Sequence, residues 1–456
     1  MYKASVQINN KWQPVVRVNH QKNKEYQWFR AEYTNQTDKT VKLGRFRFDL
    51  KLFSGIPGAN IRLYKEGWTM TSAAAAIRFG DTDFAADPDY LRFAVSAPEE
   101  FNSSTPNDFS AENVIVLNDK ETDYSLLAGF ISSADQITRF DIELAEAGIK
   151  TLAAYSCGDG IEVDPGETVI SEELVIFDGY DGYGLLEKYA DLWGERMNAL
   201  TWSHVPTGWC SWYYYFDNVT EADVLENITF ISEHKAEFPI EYIQLDDGYE
   251  AALGDWLICN EKFPHGLQFL SQKIKTIGLK PGIWLAPFMV EERSQLFKSH
   301  PDWMIKDATG EIIWASEWRG SRVACLDGTH PGAQEYLYNT FATLVKWGFE
   351  YVKLDFMTWA CMGTGGHYYD QKATRAQALR RGLQVIRDAM GDRFILGCTT
   401  PLGPVIGLVN GERIGTDITP YWKSDKPVIY AEAPAVPNVC RNIINRSYMN
   451  GRLWIS

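Results

Sequence analysis

Long apolar runs are missing from this chain. No stretch approaches about 18 uninterrupted apolar residues, so no membrane-spanning helix is expected. The opening Met1-Tyr2-Lys3-Ala4-Ser5-Val6-Gln7 has no apolar segment to serve as a secretory signal. Positive charge is also short. The 44 Lys and Arg stand against 60 Asp and Glu, a net charge of −16 with a pI near 5.0. Nucleic acid and anionic membrane both need a basic footprint, so neither is an expected partner. Cysteine is sparse, scattered and odd in number, seven in all, with no CxxC. That pattern predicts free thiols in a reducing, cytoplasmic compartment rather than a disulfide framework. The seven histidines form no HxH or HExxH pair, so no metal and no other cofactor is expected.

What the chain does have is length, core and aromatic rings. Its 456 residues suggest two or three domains, and 45% hydrophobic with 23% charged residues is an ordinary globular balance. The 16 Trp, 23 Tyr and 23 Phe are the unusual count. Sugars present flat C–H faces that stack on rings, so an acidic, aromatic-rich protein suits a neutral carbohydrate, although aromatics also fill cores.

Residues 1–182 read as β structure. Alternating stretches such as Trp12 to Val18, Gln27 to Tyr33 and Val41 to Leu52 are separated by turn clusters such as Asn35-Gln36-Thr37-Asp38 and Gly158-Asp159-Gly160. Many short strands at this spacing imply a β-sandwich. Residues 183–206 hold a linker helix, Tyr183 to Asn198, with Leu185, Leu186, Tyr189 and Leu192 on one stripe. From residue 207 to 456 the rhythm becomes strand, loop, helix. Strands are expected at Gly208–Trp212, Tyr242–Leu245, Gly282–Ala286, Tyr351–Leu354, Phe394–Gly397, Arg413–Gly415 and Leu453–Ile455. Helices are expected at Thr220 to Glu237, Pro331 to Trp347 and Lys372 to Met390. Repeated units of this length imply an α/β fold with a parallel sheet, and their number favours a (β/α)8 TIM barrel. Seven strands are one short of closure. The chain therefore reads as a C-terminally truncated piece of a longer protein, or one strand is hidden.

Barrel chemistry sits at the C-terminal ends of the strands. Those ends carry Trp212 and Tyr213, Asp246 and Asp247, Trp284, Lys353 and Asp355, Cys398, then Arg413 and Asp417. Carboxylates accept hydrogen bonds from hydroxyl groups, and Lys and Arg donate. Lys353 and Asp355 lie two apart on one strand face, where the cation would keep the acid ionised as a nucleophile. A structural ion pair, a Schiff-base lysine and, for Asp246-Asp247, a metal site are the competing readings. Adjacent Asp246 and Asp247 can reach one sugar only if the backbone turns, and Gly248 is placed to allow it.

In order, Gly208-Trp209-Cys210-Ser211-Trp212-Tyr213, Gln244-Leu245-Asp246-Asp247-Gly248-Tyr249, Gly254-Asp255-Trp256, Pro281-Gly282-Ile283-Trp284, Lys353-Leu354-Asp355-Phe356 and Arg413-Ile414-Gly415-Thr416-Asp417 resemble glycoside hydrolase family 36, the α-galactosidases of clan D. The likeness runs from about Thr207 onward, with a fainter echo in the β domain. It implies a β-sandwich, a barrel and a further C-terminal β domain that this sequence does not contain. It implies a retaining exo-α-galactosidase with Asp355 as nucleophile and Asp417 as acid/base. Asp246 and Asp247 would bind the O4 and O6 hydroxyls, and Lys353 and Arg413 the hydroxyls near the reacting carbon. Trp212, Tyr213, Trp284 and Cys398 would line the pocket, and Trp68 would reach in from the β domain. The alternatives are a relative that transfers galactosyl groups or accepts α-N-acetylgalactosamine, and a sugar-binding protein without turnover. The partner is a small carbohydrate in each case.

Overall fold

A computed structural model describes residues 3–14, 17–52, 55–72, 74–83, 105–363, 367–418, 422 and 436–456. The N-terminal part folds as two antiparallel sheets. One has six strands in the order Lys11–Pro14, Lys3–Ile8, Val41–Asp49, Gly148–Val163, Ile137–Ala145, Asp108–Glu112. The other has eight, built around Tyr26–Thr34, Leu174–Gly179, Ser125–Phe130, Val114–Asp119 and Ile61–Lys65. Alternation does the sorting. Leu43, Phe46 and Phe48 of one strand point inward while Lys42 stays exposed. They meet Leu63, Ile115, Leu117 and Phe130 of the other sheet in one apolar core. The stretch expected as one strand from Trp12 to Val18 divides into Lys11–Pro14 and Arg17–Lys22, with residues 15 and 16 outside the described set.

The helix Gly182–Met197 follows, one residue from its expected start. The Asp181 side chain accepts from the Gly184 amide at its N-terminus, and Asn198 ends it in the left-handed conformation. It buries Leu185, Leu186, Tyr189 and Trp193. Tyr189 Oη donates to the Phe130 carbonyl at 2.6 Å, tying helix to sandwich.

Six parallel strands come next, each hydrogen-bonded to the one before: Gly208–Cys210, Tyr242–Leu245, Lys280–Leu285, Tyr351–Leu354, Phe394–Gly397 and Gly411–Glu412. The middle strands are buried throughout, as parallel strands covered by helices must be. Helices Glu221–Glu233, Gly266–Thr276, Pro331–Trp347 and Arg375–Met390 alternate with them. Two N-termini carry complete capping boxes, Thr220 with Asp223 and Thr374 with Gln377.

Three expectations for this region need correction. Trp212 is not strand but opens the helical turn Trp212–Tyr215. The sixth strand is Gly411–Glu412 rather than Arg413–Gly415, because side chains take the later carbonyls. Arg413 Nη2 holds the Gly415 carbonyl at 3.0 Å and Arg446 Nη1 holds that of Ile414 at 2.8 Å. Leu453–Ile455 forms no strand. Ile455 makes only a single parallel bridge to Gly411. The strand pattern also hid a small antiparallel sheet, Met289–Glu291, Trp314–Trp318 and Ser321–Cys325, inserted before helix Pro331–Trp347.

The sandwich and the parallel-sheet region are bolted together. Arg375, at the start of helix Arg375–Met390, gives its amide (2.9 Å), Nε (2.9 Å) and Nη2 (2.7 Å) to Asp159, and neither side chain is more than 4% exposed. The seven cysteines form no disulfide. Among the described residues no helix is long and apolar enough to cross a membrane.

Candidate active site

The second strand ends in Leu245, and the backbone then turns at Gly248, whose φ is +113°. A Cβ there would stand 2.6 Å from the Asp217 carbonyl, so the turn needs glycine. Asp246 and Asp247 consequently diverge. Asp246 Oδ2 collects Gln244 Nε2 at 2.6 Å, Lys353 Nζ at 2.9 Å and Cys210 Sγ at 3.4 Å. Asp247 Oδ1 accepts Arg319 Nη2 at 2.8 Å, and the buried carboxyl lies in hydrogen-bond reach of Glu250. Burial, then the neighbouring Glu250 charge, push the Asp247 carboxyl up, against the pull of Arg319.

Lys353 does not pair with Asp355 as their two-residue spacing suggested. Its ammonium crosses to Asp246, and both side chains are nearly sealed, at 6% and 2% exposure. Burial alone would lower Lys353, but the Asp246 charge beside it, helped by Asp355, holds it protonated. Asp355 lies just past the strand end and is fixed from two other sides. Trp284 Nε1 donates to Oδ2 at 3.1 Å, and Thr399 Oγ1 donates to Oδ1 at 2.8 Å. The Phe356 amide, at 2.8 Å from Oδ1, is the third donor to this carboxyl group.

Asp417 follows the sixth strand and is half-exposed. Arg413 Nη1 donates to its Oδ1 at 2.7 Å, Trp212 Nε1 to its Oδ2 at 3.0 Å, and Tyr213 Oη reaches Oδ1 at 3.4 Å. Burial would raise this carboxyl, but Arg413 and Lys353 outweigh it and hold it below the usual range. Cys398 is fully buried beside the same guanidinium, with Arg413 Nη1 3.6 Å from its sulfur. Met70 from the β domain touches it across 3.7 Å. Trp68 is 2% exposed, packs within the core of the parallel-sheet region, and accepts the Leu402 amide at its carbonyl at 3.1 Å.

Residues singled out from sequence thus meet in separate groups, Lys353 with Asp246, Trp284 with Asp355, and Arg413, Trp212 and Tyr213 with Asp417, through charge pairs different from those expected. Three further contributors were not anticipated. Arg319 sits with Gly320 at the two-residue tip of the inserted hairpin, both at positive φ (48° and 77°), and spreads over Asp247, Glu250 and Asp217. Thr399 holds Asp355 from a positive φ of 47°, a costly conformation for a β-branched residue. Glu412, behind Arg413, is fully buried, and burial pushes its carboxyl far up. Only the Arg-Gly pair left a sequence signal, a short turn between aromatic-rich segments. Among the described residues no three His, Cys, Asp or Glu side chains are grouped to hold a metal ion.

Comparison with known proteins agrees with this geometry. The melibiase family model matches residues 187–395. The chain is 28% identical over 247 residues to α-galactosidase AgaA of Geobacillus stearothermophilus, covering 51% of this chain and 32% of that protein. It is 25% identical over 280 residues to α-galactosidase 2 of Pediococcus pentosaceus, covering 58% and 36%. The match therefore spans about a third of the length of these curated relatives. Among solved structures, the Thermus thermophilus α-galactosidase TtGalA bound to p-nitrophenyl α-D-galactopyranoside superposes with a TM-score of 0.72 at 24% identity, over 96% of this chain and 83% of that one. Crystalline AgaA gives 0.60 at 16% identity, over 96% and 70%. The chain is thus similar to the melibiases across the heart of the parallel sheet, and it shares the fold of these α-galactosidase structures over nearly its whole length.

Proposed function

We propose that the protein is a retaining exo-α-galactosidase that removes terminal α-linked galactose from oligosaccharides. One observation carries the reading. Two carboxylates, one just past the fourth parallel strand and one past the sixth, are held by separate donor sets, Asp355 by Trp284 and Thr399, Asp417 by Arg413 and Trp212. That is the pairing a double displacement needs. Asp355 attacks the anomeric carbon while Asp417 protonates the departing oxygen. Asp417, now a base, takes a proton from the water that releases the β-linked galactosyl ester. The buried Asp247 carboxyl hydrogen-bonds a ring hydroxyl, and Lys353, fixed by Asp246, donates to another. Trp212, Tyr213, Trp284, Cys398 and Trp68 shape the pocket.

In this reading the six parallel strands are most of a (β/α)8 barrel over residues 207–456. A sandwich over 1–182 precedes it, with a connecting segment at 183–206. Cysteines that form no disulfide are consistent with a cytoplasmic protein. In a galactose complex the two carboxyl groups are expected about 5–5.5 Å apart.

The test is Asp355→Ala. Turnover of p-nitrophenyl α-galactoside is expected to vanish with the fold intact, and azide is expected to restore it and yield β-galactosyl azide. An active Asp355→Ala protein without azide would overturn the assignment.

A further inference from the structure

Glu66 and Arg446 form an ion pair with both side chains wholly sealed from solvent, 380 residues apart in the chain. Neither belongs to the donor sets just described. The guanidinium donors are all used. Nε meets Glu66 Oε1 at 2.8 Å and Nη2 meets it at 2.7 Å. Nη2 also holds the carbonyls of Thr69 and Ser72, both at 3.0 Å, and Nη1 holds those of Met70 at 3.3 Å and Ile414 at 2.8 Å. Glu66 is satisfied in turn by Tyr64 Oη at 2.9 Å, the Gly67 amide at 2.8 Å and Tyr448 Oη at 3.4 Å. One turn earlier on the helix Val436–Arg446, Asn442 Nδ2 also reaches the Met70 carbonyl, at 3.2 Å.

These contacts fall on two segments that face the site. Residues 69–72 carry Met70 to Cys398 and follow directly on Trp68. Ile414 lies between Arg413 and Asp417, in the only stretch of backbone joining the sixth strand to that acid. An isolated charge pair this deep is a poor source of stability, since desolvation offsets most of the attraction. A planar fork that satisfies carbonyls from two segments does something an apolar filling cannot: it fixes their relative position.

We propose that the Glu66–Arg446 pair is a positioning device that sets where Asp417 stands, by clamping the Ile414 carbonyl to the 69–72 segment of the β domain. The inference rests on Asp417 being the general acid. Loosening the clamp lets the 413–417 segment shift, and proton delivery to the leaving oxygen suffers before galactose binding does.

The experiment compares two substrates of the full-length protein. Dinitrophenyl α-galactoside departs without protonation, whereas a trehalose-like or raffinose-type alkyl galactoside needs the acid. Asp417→Ala is the control. It is expected to spare kcat/KM for the dinitrophenyl substrate, whose first step needs no acid, and to lower kcat/KM for the alkyl one by about 100-fold or more. Arg446→Lys keeps the charge but not the fork and is expected to show the same selectivity, losing about 10-fold or more on the alkyl substrate with KM nearly unchanged. Tyr64→Phe, which removes one donor from Glu66 and leaves the pair in place, is expected to move the same way by a smaller factor, and it serves if Arg446→Lys fails to fold. Equal losses on both substrates, or none, in Tyr64→Phe and Arg446→Lys would overturn the clamp. An Asp417→Ala protein without selectivity would instead overturn the acid assignment, so the two failures are distinguishable.

Discussion

Asp417 carries opposing influences. Burial favours its neutral form, while the Arg413 fork and the Trp212 indole favour the charged one, and the charged form wins. A general acid works only while protonated, so a depressed pKa places the alkaline limb of kcat/KM at acidic pH. Removing the Arg413 cation leaves burial opposed only by Lys353 and the Trp212 indole. Arg413→Gln is therefore expected to move that limb to higher pH while lowering maximal turnover, as read from the pH profile on an alkyl galactoside. A limb that stays in place or moves down would show that Arg413 does not set it. At Asp247, Arg319 supplies the single strong donor to a carboxyl that burial and Glu250 push up. Arg319→Met is expected to weaken galactose binding about 10-fold, a charged hydrogen bond's worth, measurable by calorimetry. Unchanged affinity would remove Arg319 from the recognition set.

Turns, more than strands, aim these residues. The reversal after the second strand separates Asp246 from Asp247 and exists because Gly248 adopts φ +113° against the Asp217 carbonyl. Gly248→Ala adds both left-handed strain and a Cβ 2.6 Å from that oxygen. It is expected to cost about 2 kcal/mol of stability and to reduce turnover together. Denaturant unfolding and kinetics on one preparation check both. The inserted hairpin works the same way: its two-residue tip at Arg319-Gly320 puts a cation over the mouth from a sheet outside the parallel core. An Ala at Gly248 with full stability and turnover would mean that the turn tolerates side chains and does not position the acids.

The sandwich is part of the working molecule as well as its neighbour. It brings Met70 against Cys398, and it docks helix Arg375–Met390 through Asp159 and through the loop 132–136. In that loop the Asp135 carbonyl takes the Thr374 hydroxyl, and Asp135 Oδ1 accepts Gln377 Nε2 at 2.9 Å. The loop is itself held by buried Glu172, which accepts the amides of Asp135 at 2.8 Å and Gln136 at 2.7 Å. Burial raises the Glu172 carboxyl from 4.5 to about 7, more than its hydrogen bonds lower it. Between those values the folded state binds a proton that the unfolded chain releases. This group's contribution is therefore greatest below 4.5 and is lost as pH rises through about 7. The swing is at most about 3 kcal/mol at 1.36 kcal/mol per unit. Glu172→Gln is expected to flatten the fall in stability between pH 5 and 8, measured by urea unfolding. A parallel fall in the variant would place the titration elsewhere.

Pattern and spacing determined the order of this fold. Alternation marked the sandwich strands, because a half-buried strand must show period two. Buried apolar runs between capped helices marked the parallel strands, because a strand covered on both faces has no polar side. The same rhythm put Asp246, Asp247, Lys353, Asp355, Arg413 and Asp417 at strand ends, and hence at one mouth. Tertiary structure alone decided which charges meet. Spacing could say that Lys353 and Asp355 share a face, but a long side chain reaches across strands, and Lys353 found Asp246 instead. Arg319, Thr399 and the Glu66–Arg446 pair were illegible for the same reason. Each acts across tens to hundreds of residues of sequence, where no local period carries a signal. The sixth strand ends early because Arg413 and Arg446 claim its carbonyls. That competition depends on a helix more than twenty residues further along the chain.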